Sequence, residues 1–128
     1  MATITAITGK EHYRTEIRTS AHEIIADEPL GYGGKGLGPA PDELLAAALG
    51  SCTSITLRMY ADRKGWPLDR VAVTVGLSRE SGRTEMTMDL VLDGTLDEKQ
   101  RNRLLEIAHK CPVHLTLNQP VTIHTSLK

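Results

Sequence analysis

Hydrophobic and polar residues alternate through most of the first 28 positions of the chain. Successive side chains of a strand point to opposite faces, so this alternation predicts three short strands, over residues 2–8, 12–19 and 22–28. It stops at residues 29–41, where five glycines lie among several prolines. Glycine and proline interrupt regular structure, so this stretch is predicted to be a loop without any helical part.

The apolar spacing then changes to that of a helix. Proline suits a first helical position, and acidic residues stabilise the positive end of the helix dipole, so Pro41, Asp42 and Glu43 mark a helix start. Gly65 is predicted to end the helix. Apolar residues at three- and four-residue spacing predict one buried face, which consists of Leu45, Ala48, Leu49, Cys52, Ile55 and Met59. Further apolar residues beside this face, Leu44, Ala47 and Leu57, indicate that much of the helix is buried.

Alternation returns over residues 67–80 and 84–94, and the sequence Glu-Ser-Gly-Arg between them predicts the turn of an antiparallel hairpin. Residues 95–98 have the pattern of a capping box and predict a second helix over 96–110, with four apolar residues facing inward: Leu104, Leu105, Ile107 and Ala108. Residues 113–119 fit a helical turn or a strand, and 120–128 predict a last strand. Separate runs of strands and helices favour an α+β fold in a single domain, residues 1–128.

Composition excludes several classes of function. The net charge is −1 over 128 residues, which gives no field for attracting nucleic acid. No apolar run reaches the roughly 18 residues of a membrane span. The polar N-terminal segment does not resemble a secretory signal, so we expect a cytoplasmic protein. The five histidines and two cysteines lack metal-binding spacing, and the glycine-rich loop lacks a phosphate-binding motif, so no metal or cofactor is expected. A lid or a dimer contact is the better interpretation of that loop.

The two cysteines are the candidate chemistry. Free cysteine often acts as a small buried hydrophobe, and neither thiol is predicted to gain from its helix, because Cys52 lies in mid-helix and Cys111 at a helix C-terminus. A reactive thiol at Cys52 therefore needs a cation. One positive charge at ~4 Å supplies about 4 kcal/mol at an effective dielectric constant near 20, which is enough to activate it. His114 is either a proton donor near Cys111 or a surface histidine.

Two segments, PDELLAAALGSCTSITLRMYADRKGWPL and HKCPVHLTL, resemble the OsmC/Ohr family of thiol-dependent peroxide-handling proteins. The shared features are an acidic helix start, a small-residue helix with a central cysteine, and a later Cys-Pro-Val at the end of a second helix. The order of the elements also fits. The resemblance implies the OsmC-like fold, in which an antiparallel sheet accompanies a long central helix bearing the cysteine, and an intertwined homodimer with its active sites at the interface.

The resemblance also implies roles for particular residues. Cys52 corresponds to the peroxidatic nucleophile and Cys111 to the resolving cysteine. Asp42 occupies the acidic position that orients an activating arginine in the family. This chain has no arginine between Thr19 and Leu57, so the activating cation is expected to be Lys35 of the loop, with Arg14 and Arg18 as the alternatives. A lysine lacks the planar, two-pronged contact of a guanidinium.

Two functions follow as hypotheses. The first is reduction of organic hydroperoxides by Cys52 and Cys111 in defence against oxidative stress, with an external dithiol, lipoyl or similar, as the reductant. The second is a non-catalytic homodimer that binds an apolar small molecule in its interface cleft. A cation at the Cys52 sulfur favours the first, and an entirely apolar environment favours the second.

Overall fold

The computed structural model describes all 128 residues and has an α+β architecture. The strands are β1 (Thr5–Thr8), β2 (Thr15–Arg18), β3 (Glu23–Ala26), β4 (Leu68–Glu80) and β5 (Arg83–Gly94); the helices are α1 (Pro41–Lys64), α2 (Glu98–Ala108) and α3 (Pro112–Leu117). The chain forms two compact units, Met1–Leu45 and Ala46–Lys128, and α1 begins in the first and continues through the second.

In the N-terminal unit, β1, β2 and β3 form an antiparallel meander, with Ile17 of β2 opposite Ala6 on one side and Ile24 on the other. All three predicted strands are present but shorter than predicted. The loop after β3 contains a short 3₁₀ helix, Leu30–Tyr32, so the prediction of no helical structure there is wrong. Gly33 ends this turn in the left-handed conformation, at φ 89°, which glycine adopts without strain.

Helix α1 begins at Pro41 and ends at Lys64, as the sequence predicts. Gly65 follows in the left-handed conformation, at φ 69°. Its N–H donates to the carbonyl of Asp62, and the N–H of Trp66 donates to that of Ala61. This pair of hydrogen bonds is a Schellman motif, which satisfies carbonyl groups at the helix end.

Strands β4 and β5 form a long antiparallel hairpin in the C-terminal unit. Ser81 and Gly82 make its turn, and both have positive φ, as a two-residue type I′ turn requires. The predicted apolar residues of both strands are half-buried: Val71, Val73, Val75, Leu77, Met86, Met88, Leu90 and Leu92.

Helix α2 is capped two residues later than predicted. The side chain of Asp97 accepts from the N–H of Gln100, and the Gln100 side chain accepts from the N–H of Asp97, so the capping box is Asp97 with Gln100. The predicted box, Thr95 with Glu98, is wrong. The guanidinium of Arg101 explains the shift. It donates to the carbonyl groups of Leu92, Gly94 and Leu96, and these bonds keep the residues before Asp97 outside the helix.

The C-terminal part of the chain departs most from prediction. Residues 112–117 form helix α3, which decides the ambiguous segment in favour of a helix. Residues 120–128 form no strand, contrary to prediction, and they are exposed. Their alternating pattern needs a neighbouring strand edge to complete its hydrogen bonds, and no strand of this chain pairs with them.

The core of the C-terminal unit consists of residues from α1 and α2, with side chains of the hairpin packed against them. Its buried members are Leu57, Tyr60, Leu104, Ile107 and Ala108. Leu105, predicted to face inward, is instead 50% exposed. α1 is long and apolar enough to cross a membrane by length and composition, contrary to the sequence-based count of apolar residues; core helices of soluble proteins share these properties.

Candidate active site on helix α1

Helix α1 has apolar residues on two faces, and the face that is buried in the structure differs from the face predicted to be buried. The buried residues are Leu49, Thr53, Leu57, Tyr60 and Ala61. On the predicted face only Leu49 is buried, while Ile55 is 53% and Met59 67% exposed. The prediction of the buried face is therefore wrong. Only 28% of the most apolar 18-residue window of α1 is buried inside the chain.

Cys52 lies beside the exposed apolar residues. It is half-buried and not in a disulfide. Ile55 follows it by three residues, and Met59 by seven, so the three side chains share one side of the helix. We call Cys52, Ile55 and Met59 the cysteine stripe. The Cys52 sulfur makes no hydrogen bond within the chain, and the residue is partly open to solvent.

Cys111 has the opposite environment. It is fully buried and also free. It is the N-cap of α3, and its sulfur accepts from the N–H of His114 at 3.3 Å. The sequence predicted it at the C-terminus of the preceding helix, but α2 ends earlier, at Ala108, and a new helix starts at Pro112. The hydrogen-bond donors near the Cys111 sulfur are therefore the free backbone N–H groups at the start of α3.

Thr53 joins α1 to Cys111, and sequence analysis missed it. Its hydroxyl lies 3.6 Å from the Cys111 sulfur and donates to the Met88 sulfur at 3.4 Å. Thr53 is fully buried although polar. Its spacing of four residues from both Leu49 and Leu57 was the available signal. The structure thus brings Cys111 against the residue next to Cys52 in sequence.

The predicted partners of Cys52 lie in the N-terminal unit or at the helix start. Asp42 is in the first turn of α1. The Lys35 ammonium binds the carboxylate of Glu11 at 3.3 Å, and both side chains are exposed. Arg14 and Arg18 both bind Glu16, and these guanidinium groups lower the pKa of the Glu16 carboxyl. All three candidate cations are paired with carboxylates, and the role of each at Cys52 stays a prediction.

A buried carboxylate fixes the loop that carries Lys35. Asp27 is 2% exposed and accepts from four backbone N–H groups, those of Tyr13, Glu28, Lys35 and Leu37. Burial raises the pKa of this carboxyl, but the four hydrogen bonds together outweigh it, and the pKa is lowered. Asp27 therefore holds the loop as an anion through backbone N–H groups, without using the Lys35 ammonium.

A second polar cluster surrounds Tyr60 on the buried face of α1. The Arg103 Nε donates to the Tyr60 hydroxyl at 3.1 Å, and this bond lowers the pKa of Tyr60. Trp66 packs edge-on against the ring, and an open groove of about 800 Å³ lies along these side chains and the first turns of α2. The chain has no group of three or more His, Cys, Asp or Glu residues arranged to hold a metal ion.

Comparison with known proteins defines the class. The OsmC-like protein family matches residues 33–126. An OsmC-like protein from Mycoplasma pneumoniae has the same fold, with a TM-score of 0.80 at 19% identity over 91% of this chain and 86% of that one. The organic hydroperoxide resistance protein OsmC from Legionella pneumophila gives a TM-score of 0.67 at 21% identity, over 92% and 89% of the two chains.

OhrB of Bacillus subtilis, an organic hydroperoxide resistance protein, gives a TM-score of 0.64 at 22% identity, over 92% of this chain and 90% of that one. At these identities, the likeness shows a common fold. No curated protein sequence matches this chain. The family match covers most of the chain and includes both cysteines, so the protein belongs to the OsmC-like family.

Proposed function

We propose that this protein reduces organic hydroperoxides, with Cys52 as the peroxidatic and Cys111 as the resolving cysteine. One observation carries the proposal: a half-exposed thiol lies on an apolar helix surface, and a second, buried thiol packs against the next residue along that helix. A peroxidase that is resolved through an internal disulfide needs one accessible thiol and a second thiol that can reach it. Structural neighbours described as organic hydroperoxide resistance proteins support the same chemistry.

The proposed reaction has three steps. The Cys52 thiolate attacks the hydroperoxide oxygen, the O–O bond breaks, and an alcohol leaves after protonation, so that Cys52 becomes a sulfenic acid. The Cys111 thiol then displaces the sulfenic hydroxyl as water, and a Cys52–Cys111 disulfide forms. An external dithiol of the lipoyl type reduces the disulfide by exchange and is itself oxidised to a cyclic disulfide. The proposal includes a cytoplasmic location, because thiols are kept reduced there.

The proposal includes a homodimer that covers the cysteine stripe. Ile55 and Met59 expose large apolar side chains in the single chain, and soluble proteins rarely leave such surface beside a reactive residue uncovered. Residues 120–128 alternate between apolar and polar residues and have no strand partner in their own chain, which suits pairing with a second copy. In such a dimer the substrate contacts an apolar wall, which favours fatty or aryl hydroperoxides over hydrogen peroxide.

The activating cation in this proposal is Lys35, oriented with the help of Asp42. The Lys35 backbone is fixed by Asp27, while its ammonium makes only an exposed ion pair with Glu11. Exposed pairs contribute little, about 0–1 kcal/mol, so the ion pair with Glu11 holds the ammonium only weakly. Arg14 and Arg18 instead share one partly buried carboxylate, that of Glu16.

One observation favours a second function. The Cys52 sulfur has no hydrogen-bonding partner and lies beside exposed apolar side chains, as in a site that binds an apolar small molecule without chemistry. In that case both thiols serve only for packing, and the dimer cleft holds the ligand.

A peroxide assay separates the two functions. Wild type, Cys52→Ser, Cys111→Ser and Lys35→Met are compared for cumene hydroperoxide consumption with dihydrolipoamide as reductant. We expect no turnover in Cys52→Ser, a trapped sulfenic acid by intact mass in Cys111→Ser, and a reduced rate in Lys35→Met with the fold retained. Unmodified wild-type thiols after long exposure to the peroxide would refute the enzyme and leave the binding module.

A further inference from the structure

The Thr53 side chain connects α1 to Cys111, and it belongs to a chain of three polar contacts inside the C-terminal unit. The N–H of His114 donates to the Cys111 sulfur, the Cys111 sulfur lies 3.6 Å from the Thr53 hydroxyl, and that hydroxyl lies 3.4 Å from the Met88 sulfur. Thr53 and Cys111 are both fully buried. Neither water nor a reagent reaches these groups in this conformation.

The chemistry of Met88 sets the direction of these hydrogen bonds. A thioether accepts and has no proton to donate, so the contact between Thr53 and Met88 uses the one hydroxyl proton of Thr53. The Thr53 oxygen is then left as an acceptor, and the Cys111 S–H donates to it. The order is His114 N–H to Cys111, Cys111 S–H to Thr53, and Thr53 O–H to Met88.

We propose that Thr53 is a positioning residue, whose hydroxyl holds the reduced Cys111 thiol on the buried face of α1 and keeps it from reagents until Cys52 has been oxidised. The role in resolution rests on the proposed function. The Cys111 side chain must leave Thr53 before its sulfur bonds to Cys52, because Cys52 and Thr53 project from different sides of the helix. Thr53 thus protects the second thiol and sets how often it is released.

The redox step balances with this release. When Cys111 attacks the Cys52 sulfenic acid, the S–S bond forms as the S–OH bond breaks. The Cys111 proton, freed from its bond to Thr53, leaves with the hydroxyl group as water. The Thr53 oxygen keeps its own proton, which stays hydrogen-bonded to the Met88 sulfur throughout.

Alkylation of the reduced protein tests the inference without any peroxide. Cys111 is labelled with N-ethylmaleimide at low concentration, so that the rate reports how often it opens, and each cysteine is followed by peptide mass. Thr53→Val keeps the shape and removes the hydroxyl. We expect the rate of Cys111 labelling to rise about fivefold, because the loss of one hydrogen bond of about 1 kcal/mol makes opening that much more frequent. Cys52 labelling stays unchanged, and Thr53→Ser restores the wild-type rate.

Tyr60→Phe is the matched control. It also removes one hydroxyl from the same face of α1, a partly buried one that accepts from Arg103 and makes no hydrogen bond to a cysteine. It controls for general loss of stability, and Cys111 labelling should stay at the wild-type rate. If Thr53→Val fails to fold, Thr53→Ala takes its place. A wild-type labelling rate in the hydroxyl-free variant, or equal increases in that variant and Tyr60→Phe, overturns the inference.

A peroxide measurement then separates this inference from the proposed function. After one equivalent of cumene hydroperoxide is added, Cys52 of the Thr53→Val variant should be oxidised at the wild-type rate. The Cys52–Cys111 disulfide should then form faster than in wild type. If Cys52 is not oxidised in any variant, the proposed enzyme is refuted and the labelling result still decides the role of Thr53. Slower disulfide formation with unchanged Cys52 oxidation overturns the inference.

Discussion

Two faces of helix α1 have similar apolar composition and different surroundings. One face packs into the C-terminal unit through Leu57, Tyr60 and their neighbours, and includes a polar residue, Thr53. The other face, the cysteine stripe, consists of Cys52, Ile55 and Met59 and is largely exposed in the single chain. The buried face builds the fold, and the stripe presents the candidate nucleophile on apolar surface.

The difference shows why the packing residues and the candidate nucleophile lie on different faces of this helix. A thiol in the packed core is protected but inaccessible, as at Cys111, whereas a thiol on the stripe is accessible to an apolar substrate. Because α1 is apolar on both faces, it can pack against its own chain and offer a second surface to another copy. Three predictions test this division.

The largest expected effect is on stability. Leu57→Ala removes a fully buried side chain from the core, and we expect it to lower the free energy of unfolding by about 2–5 kcal/mol. Met59→Ala, on the exposed stripe, should change it by less than about 0.5 kcal/mol when both are measured by urea unfolding at low protein concentration. Equal losses in the two variants would show that the stripe is also part of the chain's own core.

The second prediction concerns assembly. Ile55→Asp places a charge in the centre of the stripe, and desolvating that charge should weaken a dimer at least about tenfold, or about 1.4 kcal/mol, by sedimentation analysis. Leu105→Asp is the matched control, because Leu105 on α2 is similarly exposed, at 50% against 53% for Ile55. Dissociation by both variants, or by neither, would contradict a dimer built on the stripe. Binding of wild type to lipid vesicles instead would assign the stripe to a membrane.

The smallest effect concerns pH and the buried face. Arg103 lowers the pKa of Tyr60 in the folded protein below its unfolded value of about 10. Between these two pKa values the unfolded chain binds more protons, so Tyr60 makes stability rise with pH in that window, and the gain is lost as pH falls through the folded pKa. Tyr60→Phe should remove this rise in urea midpoints measured at alkaline pH, up to about pH 10. An unchanged alkaline profile would show that the hydrogen bond to Arg103 does not favour the ionised form.

Much of the fold could be predicted from local signals, and the errors have physical causes. The helix start at Pro41, its end at Gly65 and the Ser81–Gly82 turn depend on residues close together in sequence, and all three are confirmed. The α2 cap was misplaced because the pattern of residues 95–98 takes no account of Arg101, whose contacts hold the residues before Asp97 outside the helix.

The candidate site was predictable only in part. The resemblance picked out Cys52 and Cys111, and the family match is confirmed, while the roles of these cysteines, of Asp42 and of Lys35 remain predictions. Thr53 was missed because periodicity counts apolar residues, and its partners lie 35 and 58 positions away along the chain. A hydrogen bond over such a separation leaves no pattern in the nearby sequence.

The sequence by itself determined the α+β class, the limits of α1, the hairpin and membership of the OsmC-like family, because each rests on short-range patterns or on a motif. The tertiary structure alone decided which face of α1 is buried, that Cys111 begins a helix rather than ending one, and that residues 120–128 find no strand in their own chain. An apolar helix surface fits any apolar partner equally well, so its periodicity cannot state which side the rest of the chain will cover.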